Sequence, residues 1–295
     1  MGTNLHRLKD LKNAAKNEAG AFAWVTFWLA VGTITTIISA TTLALIGLIP
    51  LWLAALVNLC AFIAGYTVGH EVIHGNLIGR HEGLSWLNVF FGTLFFSAPF
   101  HSLTLHSFIH LRHHSHTNDP DKDPDAWIDE RKPLILLFRL LTHYLHYQYH
   151  GVKWSRDMPH RTQFLVRCVL EQVIPMLIAI MLAVSGFGVE VLWLWIIPAI
   201  LVYPILAFIL DWVPHNGLKV GTPLDNSRLL GAPAGAAGRV FSWIYLFQNY
   251  HLIHHLYPKV PFYRYGELYE NHFRALSSAG AKIYSGFDVK RPSAG

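Results

Sequence analysis

Three stretches of this chain carry histidines at helical spacing. His110, His113 and His114, in LHSFIHLRHHSHTNDPDKDPD, stand at i, i+3 and i+4, positions that share one face of a helix. His251, His254 and His255 repeat the spacing in NYHLIHHLYP, and His70 and His74 give a shorter version in GHEVIHG. Imidazole is a good ligand for zinc, copper, iron and nickel. Adjacent rings on a helix, such as His113 and His114, point in different directions, so one cluster can serve two ions. His215, in DWVPHNG at the end of an apolar run, is a lone histidine that the topology described below places level with the clusters.

Smaller motifs compete with that reading or support it. HEVIH satisfies the HExxH pattern of zinc proteases, in which the two histidines bind zinc and the glutamate, here Glu71, is a general base. An intramembrane zinc metalloprotease is therefore the alternative, although it leaves both longer clusters unexplained. A metal transporter is a weaker option, since its ligands belong near mid-bilayer. The run DPDKDPD resembles a calcium loop in its first acids but has Pro124 where the turn needs glycine. It reads better as a rigid Asp-Pro turn. Carboxylates of Asp119, Asp123 and Asp125 are candidates to bond the far nitrogens of ligand histidines and fix their tautomer; a solvated acidic turn is the bland alternative. His116 lies off the ligand face and is expected beside the site or at the surface. Asn216 and Asn249 stand next to ligand candidates and serve either to orient a ligand or water, or as simple caps. His6, His81, His101, His106, His143, His146, His150, His160 and His272 share no spacing with the clusters and are expected at the interface or surface.

The elements that must position these residues are greasy. Of 295 residues 53% are hydrophobic and only 14% charged, against about 25% charged in soluble domains, and the mean hydropathy is +0.33. Apolar runs at 20–47, 50–69, 164–186 and 187–210 each reach the roughly 20 residues that span a bilayer. Residues 84–105 suit a segment that dips into one leaflet, and 133–150 a helix lying at the interface. The first sixteen residues read either as a short amphipathic helix on the membrane surface or as a disordered tail. GAPAGAAG, residues 231–238, reads as a flexible loop. No Lys or Arg lies between residues 17 and 79 or between 168 and 218. By the positive-inside rule both termini and the middle segment are cytoplasmic, and all histidine clusters share that face. The expectation is an all-α integral membrane protein: one domain over 1–295, four transmembrane helices in two hairpins, and a cytoplasmic helical cap carrying a histidine-rich two-metal site. Cys60 and Cys168 sit in apolar runs and support no disulfide framework. A charge of +5 without a basic, aromatic-studded stripe excludes a nucleic-acid binder.

HEVIH, HLRHH and HLIHH, with His215, resemble the three histidine boxes and extra histidine of the membrane fatty acid desaturase superfamily, over about residues 60–265. The look is nearest to cyanobacterial-type beta-carotene ring hydroxylases and short bacterial acyl desaturases. The resemblance implies two iron ions held by His70, His74, His110, His113, His114, His215, His251, His254 and His255. It also implies dioxygen as co-substrate, and desaturation or hydroxylation of an unactivated C–H bond in a fatty acyl lipid or carotenoid. Glu71 replaces the aspartate usual in many members. The haem-binding HPGG motif of a fused cytochrome is absent, so electrons are expected from a separate ferredoxin- or cytochrome-like donor. In a bacterium the protein would sit in the plasma (inner) membrane.

Overall fold

A computed structural model describes residues 2–231 and 236–285. Those residues are mostly helical, with one small sheet. Helix α1 spans Gly2–Glu18, α2 Trp24–Leu45 and α3 Leu51–Ile73. The α2–α3 connection is tight: Gly47 takes φ 76°, and Pro50 supplies the extended residue before α3. α3 runs four residues past the apolar run that marks it in the sequence, so His70 and Glu71 lie in its last turn and His74 is its C-cap. α4 (Ser85–Ser97) packs on α3, where a Cβ added at Gly69 would stand 2.6 Å from a ring carbon of Phe96. Glycine is required there because the aromatic ring lies on bare backbone.

α5 (Leu103–His116) carries the first long histidine cluster, and its first turn is capped by Ser102, whose hydroxyl accepts from the Leu105 amide. α6 (Pro133–Trp154) buries Leu140, His143, Tyr147 and Gly151, one stripe at helical spacing, and exposes Leu137, Phe138, Leu141 and Leu145. The chain from Arg161 to His215 is helical for 55 residues. At about 1.5 Å per residue that is more than twice the roughly 30 Å hydrocarbon layer. The stretch is not straight. Gly186 adopts φ 102°, which only glycine takes freely, and separates α7 (Arg161–Leu182) from the short α8 (Gly188–Val191). α9 (Ile197–Leu206) and α10 (Val213–His215) continue through π-helical turns at Leu192–Ile196 and Ala207–Trp212. The Tyr144 hydroxyl donates to Gln172 Oε1 at 3.0 Å, and its ring lies 5.0 Å from that of Tyr203. Positions 172 and 203 therefore lie side by side, and the chain folds back near Gly186. The Leu194 carbonyl in the first π turn accepts from buried Asn58 Nδ2 at 2.8 Å, which supplies a partner where the regular helical ladder is broken.

Three segments are long and apolar enough to cross a membrane: Trp24–Leu45, Leu51–Ile73 and Arg161–His215. Strand β1 (Leu229–Gly231) pairs in parallel with β2 (Ile283–Ser285). α11 (Ala236–Ile244), α12 (His251–Leu256) and α13 (Tyr265–Ser278) complete the fold. Leu252 and Ile253 of α12 are fully buried with Tyr265, Leu276 and Leu11. Two expectations fail here. α1 is an ordered helix and not a disordered tail, and its Leu11 and Ala15 enter this C-terminal cluster. The stretch 231–238 is not one loop: Gly231 belongs to β1 and Ala236–Gly238 to α11, while 232–235 lie outside the described residues.

Candidate metal centre

The C-terminal turn of α3, the second half of α5, the end of α10 and all of α12 meet at one place. α12 alternates function and packing within six residues: Leu252 and Ile253 face the core, and His251, His254 and His255 face α5. Nine histidines fall into two groups. His70, His74, His110, His114 and His254 form one; His113, His215, His251 and His255 form the other. Within each group one ring nitrogen per residue lies within 4.8 Å of all the others. Adjacent residues separate: His113 and His255 belong to the four-membered group, and His114 and His254 to the five-membered one.

The nitrogens crowd in a way that hydrogen bonding does not explain. His110 Nε2 lies 3.0 Å from His70 Nε2, 2.9 Å from His74 Nε2 and 3.1 Å from His114 Nε2. One nitrogen carries either a single proton or a single lone pair, so it satisfies at most one of the three. Burial lowers the pKa of His74, His110, His114, His251, His254 and His255 well below the usual value, so these rings are neutral, the form that binds metal. At a metal–nitrogen distance of about 2.1 Å, two ligands at a right angle stand about 3.0 Å apart, and two at the tetrahedral angle about 3.4 Å. Spacings of 2.9–3.1 Å in the five-membered group fit right angles, the geometry of a six-coordinate ion. In the four-membered group His251 Nε2 is 3.0 Å from both His215 Nε2 and His255 Nε2, and His113 Nε2 is 3.3 Å from His255 Nε2. The donor set fits a pair of transition-metal ions.

The acids behind the rings are unevenly placed. His113 Nδ1 donates to Asp123 Oδ1 at 2.9 Å and lies 3.0 Å from Asp125 Oδ2. Burial opposes the His113 charge, but Asp123 and Asp125 outweigh it and raise its pKa to about 10. Burial raises that of Asp125 to about 6. Asp119 points away and accepts from the backbone of Asp121 and Lys122. His116 turns to the Arg112 carbonyl and joins neither group. Asn216 Nδ2 donates to Asp129 Oδ1 at 3.1 Å, and buried Asn249 donates to the Leu230 carbonyl. Glu71 is fully buried and accepts from Asn76 Nδ2 at 3.1 Å, the Phe262 amide at 3.3 Å and Thr26 Oγ1 at 3.5 Å. Asn76 also donates to the Pro258 and Val260 carbonyls. Glu71 thus locks the end of α3 to the segment after α12, and its engagement there gives no support to the zinc-protease reading.

A family model described as fatty acid desaturase matches residues 46–287. The chain belongs to the fatty acid desaturase family. No curated protein matches the chain. For a desaturase-family chain the histidine boxes are the expected signal; three histidines outside them are not. His101, His106 and His143 are buried rather than at the interface or surface. The His106 ring lies 5.4 Å from Tyr66, whose hydroxyl is 3.1 Å from its Nε2, and His101 packs on Tyr144 at 4.1 Å. His143 sits between Tyr147 and Tyr203. The signal for His143 was available in the i, i+4 spacing of His143 and Tyr147 on one stripe of α6; nothing in spacing marks His101 or His106.

Proposed function

We propose that this desaturase-family oxidoreductase holds two iron ions and uses dioxygen to desaturate or hydroxylate an unactivated C–H bond of a long hydrophobic substrate. The observation that carries this is the convergence of nine imidazoles into groups of five and four, with right-angle spacing in the larger group. His70, His74, His110, His114 and His254 would hold one ion, and His113, His215, His251 and His255 the other, within a single domain. An iron pair, when bound, supplies dioxygen activation and the oxidising power to remove hydrogen from a CH2 group. The chain's own part is to hold the donors rigidly, keep most of the rings neutral by burial, orient His113 through Asp123 and Asp125, and keep bulk water away. The membrane reading is four crossings in two hairpins, because Gly186 folds the third apolar segment back. The absence of Lys and Arg from both hairpin interiors supports cytoplasmic termini and a cytoplasmic centre at the bilayer edge, in the plasma membrane of a bacterial host. An apolar cavity of about 560 Å³, lined by Ile34, Phe62, Phe95, Leu194 and Trp195 among others, lies in the membrane half, so the fold offers greasy space for acyl or carotenoid chains. A separate ferredoxin- or cytochrome-like protein would supply electrons.

The test is expression in a carotenoid-producing host, with metal analysis of the purified chain and mass analysis of host lipids and pigments. At least two iron per chain, with new unsaturation or hydroxylation lost in His113→Ala and His254→Ala, is the expected result. One zinc per chain, or oxidation that survives both substitutions, overturns it. A fatty acyl product and a ring-hydroxylated carotenoid are told apart by the same spectra.

A further inference from the structure

Beside the histidine centre a cavity of about 240 Å³ opens between the turn after α5 and the end of α10. Asp123, Asp125, Asp129 and Asp211 line it. Asp129 accepts from Asn216 Nδ2 and the Gly217 amide, and Asp123 from His113 and the Asn118 and Asp125 amides. Asp211 is different. Its side chain is only 19% exposed, and among the described residues it accepts no hydrogen bond and meets no Lys or Arg. What it faces is His143, whose Nδ1 is 4.0 Å from Asp211 Oδ2 and whose Nε2 is 3.7 Å from Asp125 Oδ1.

His143 is fully buried, and neither ring nitrogen has a hydrogen-bond partner among the described residues. Separations of 3.7 and 4.0 Å are too long for hydrogen bonds, and they involve the two different ring nitrogens, of which only one can reach a given ion. One ligand atom from each of Asp125, His143 and Asp211 lies within 4.8 Å of the others. A fully buried imidazole with no hydrogen-bond partner at either nitrogen is costly unless something else binds it.

We propose that Asp125, His143 and Asp211 bind a third divalent transition-metal ion, with its remaining positions open to water from the cavity. One imidazole and two carboxylates suit Fe2+, Mn2+ or Zn2+ better than calcium, which prefers oxygen alone. His215 lines the same cavity, and Asp125 reaches His113 with its other oxygen. An ion here is therefore joined to the four-histidine group through one carboxylate.

The full chain, purified in detergent and stripped with chelator, is loaded with Fe2+ without oxygen, desalted and counted by elemental mass spectrometry. Three ions per chain are expected, and two for Asp211→Asn and for His143→Gln, each checked for unchanged helicity by circular dichroism. If His143→Gln fails to fold, the near-isosteric Asp211→Asn carries the test. A wild-type count of two, or three retained in Asp211→Asn, overturns the third site and leaves the histidine groups standing. A wild-type count below two overturns both.

Discussion

The five-histidine and four-histidine groups differ in what stands behind their rings. In the five-membered group His254 Nδ1 meets the Tyr265 hydroxyl at 3.0 Å, His70 Nδ1 is buried without a partner, and among the described residues no carboxylate reaches any of the five. In the four-membered group His113 Nδ1 faces Asp123 and Asp125, and His215 Nδ1 donates to the Asn226 carbonyl at 2.9 Å. Carboxylates behind a ligand raise its basicity and fix its orientation. Two sites built from the same side chain are thus electrostatically unlike: without metal, one is neutral and the other carries a proton on His113.

The sharpest break in the comparison comes from His110→Ala. His110 Nε2 is the nitrogen that three others crowd, so its loss should empty the five-histidine site, cutting the iron count by one and activity by more than the ~10–100-fold typical of an outer partner. Asp123→Asn should act on the other group alone, weakening its ion by about 10–100-fold; equal weakening of both ions in a metal titration would erase the distinction drawn above. The pH dependence should separate the groups next. With its pKa raised from 6.5 to about 10, metal-free His113 must release its Nε2 proton to bind. Affinity at the four-histidine site should therefore rise by up to about tenfold per pH unit from pH 7 towards 10, while the five-histidine site stays flat. The same shift makes the His113 charge stabilise the metal-free fold below pH 6.5, a contribution lost as pH climbs through about 10. Asp119→Asn should change least, with no shift in metal affinity and little in melting temperature, because Asp119 serves only its own turn.

Much of this was written in local spacing. The i, i+3, i+4 pattern places the rings of α5 on one face, and the near one-third turn between neighbours sends His113 and His114 to different groups. The apolar runs announce membrane-length helices because a span in lipid has to be long and uncharged. Other features depend on what packs where. His101, His106 and His143 look like stray histidines until α6 and α9 close over them. Asp211 reads as the polar end of an apolar run, and only the fold sets it opposite His143. The burial of α1 depends on a cluster assembled from residues more than two hundred positions later. Glu71 fits a protease signature by sequence, and only the fold reveals its hydrogen bonds to Asn76 and to the Phe262 amide.

The chain order of the histidines has a consequence for biosynthesis. His70, His74, His110 and His114 are all made before residue 115, whereas the four-membered group has only His113 until His215 is added. Roughly 180 residues separate His70 from His255, a delay of about 10–40 s at typical ribosomal speeds. During that interval the nascent chain holds four-fifths of the five-histidine donor set and a quarter of the other.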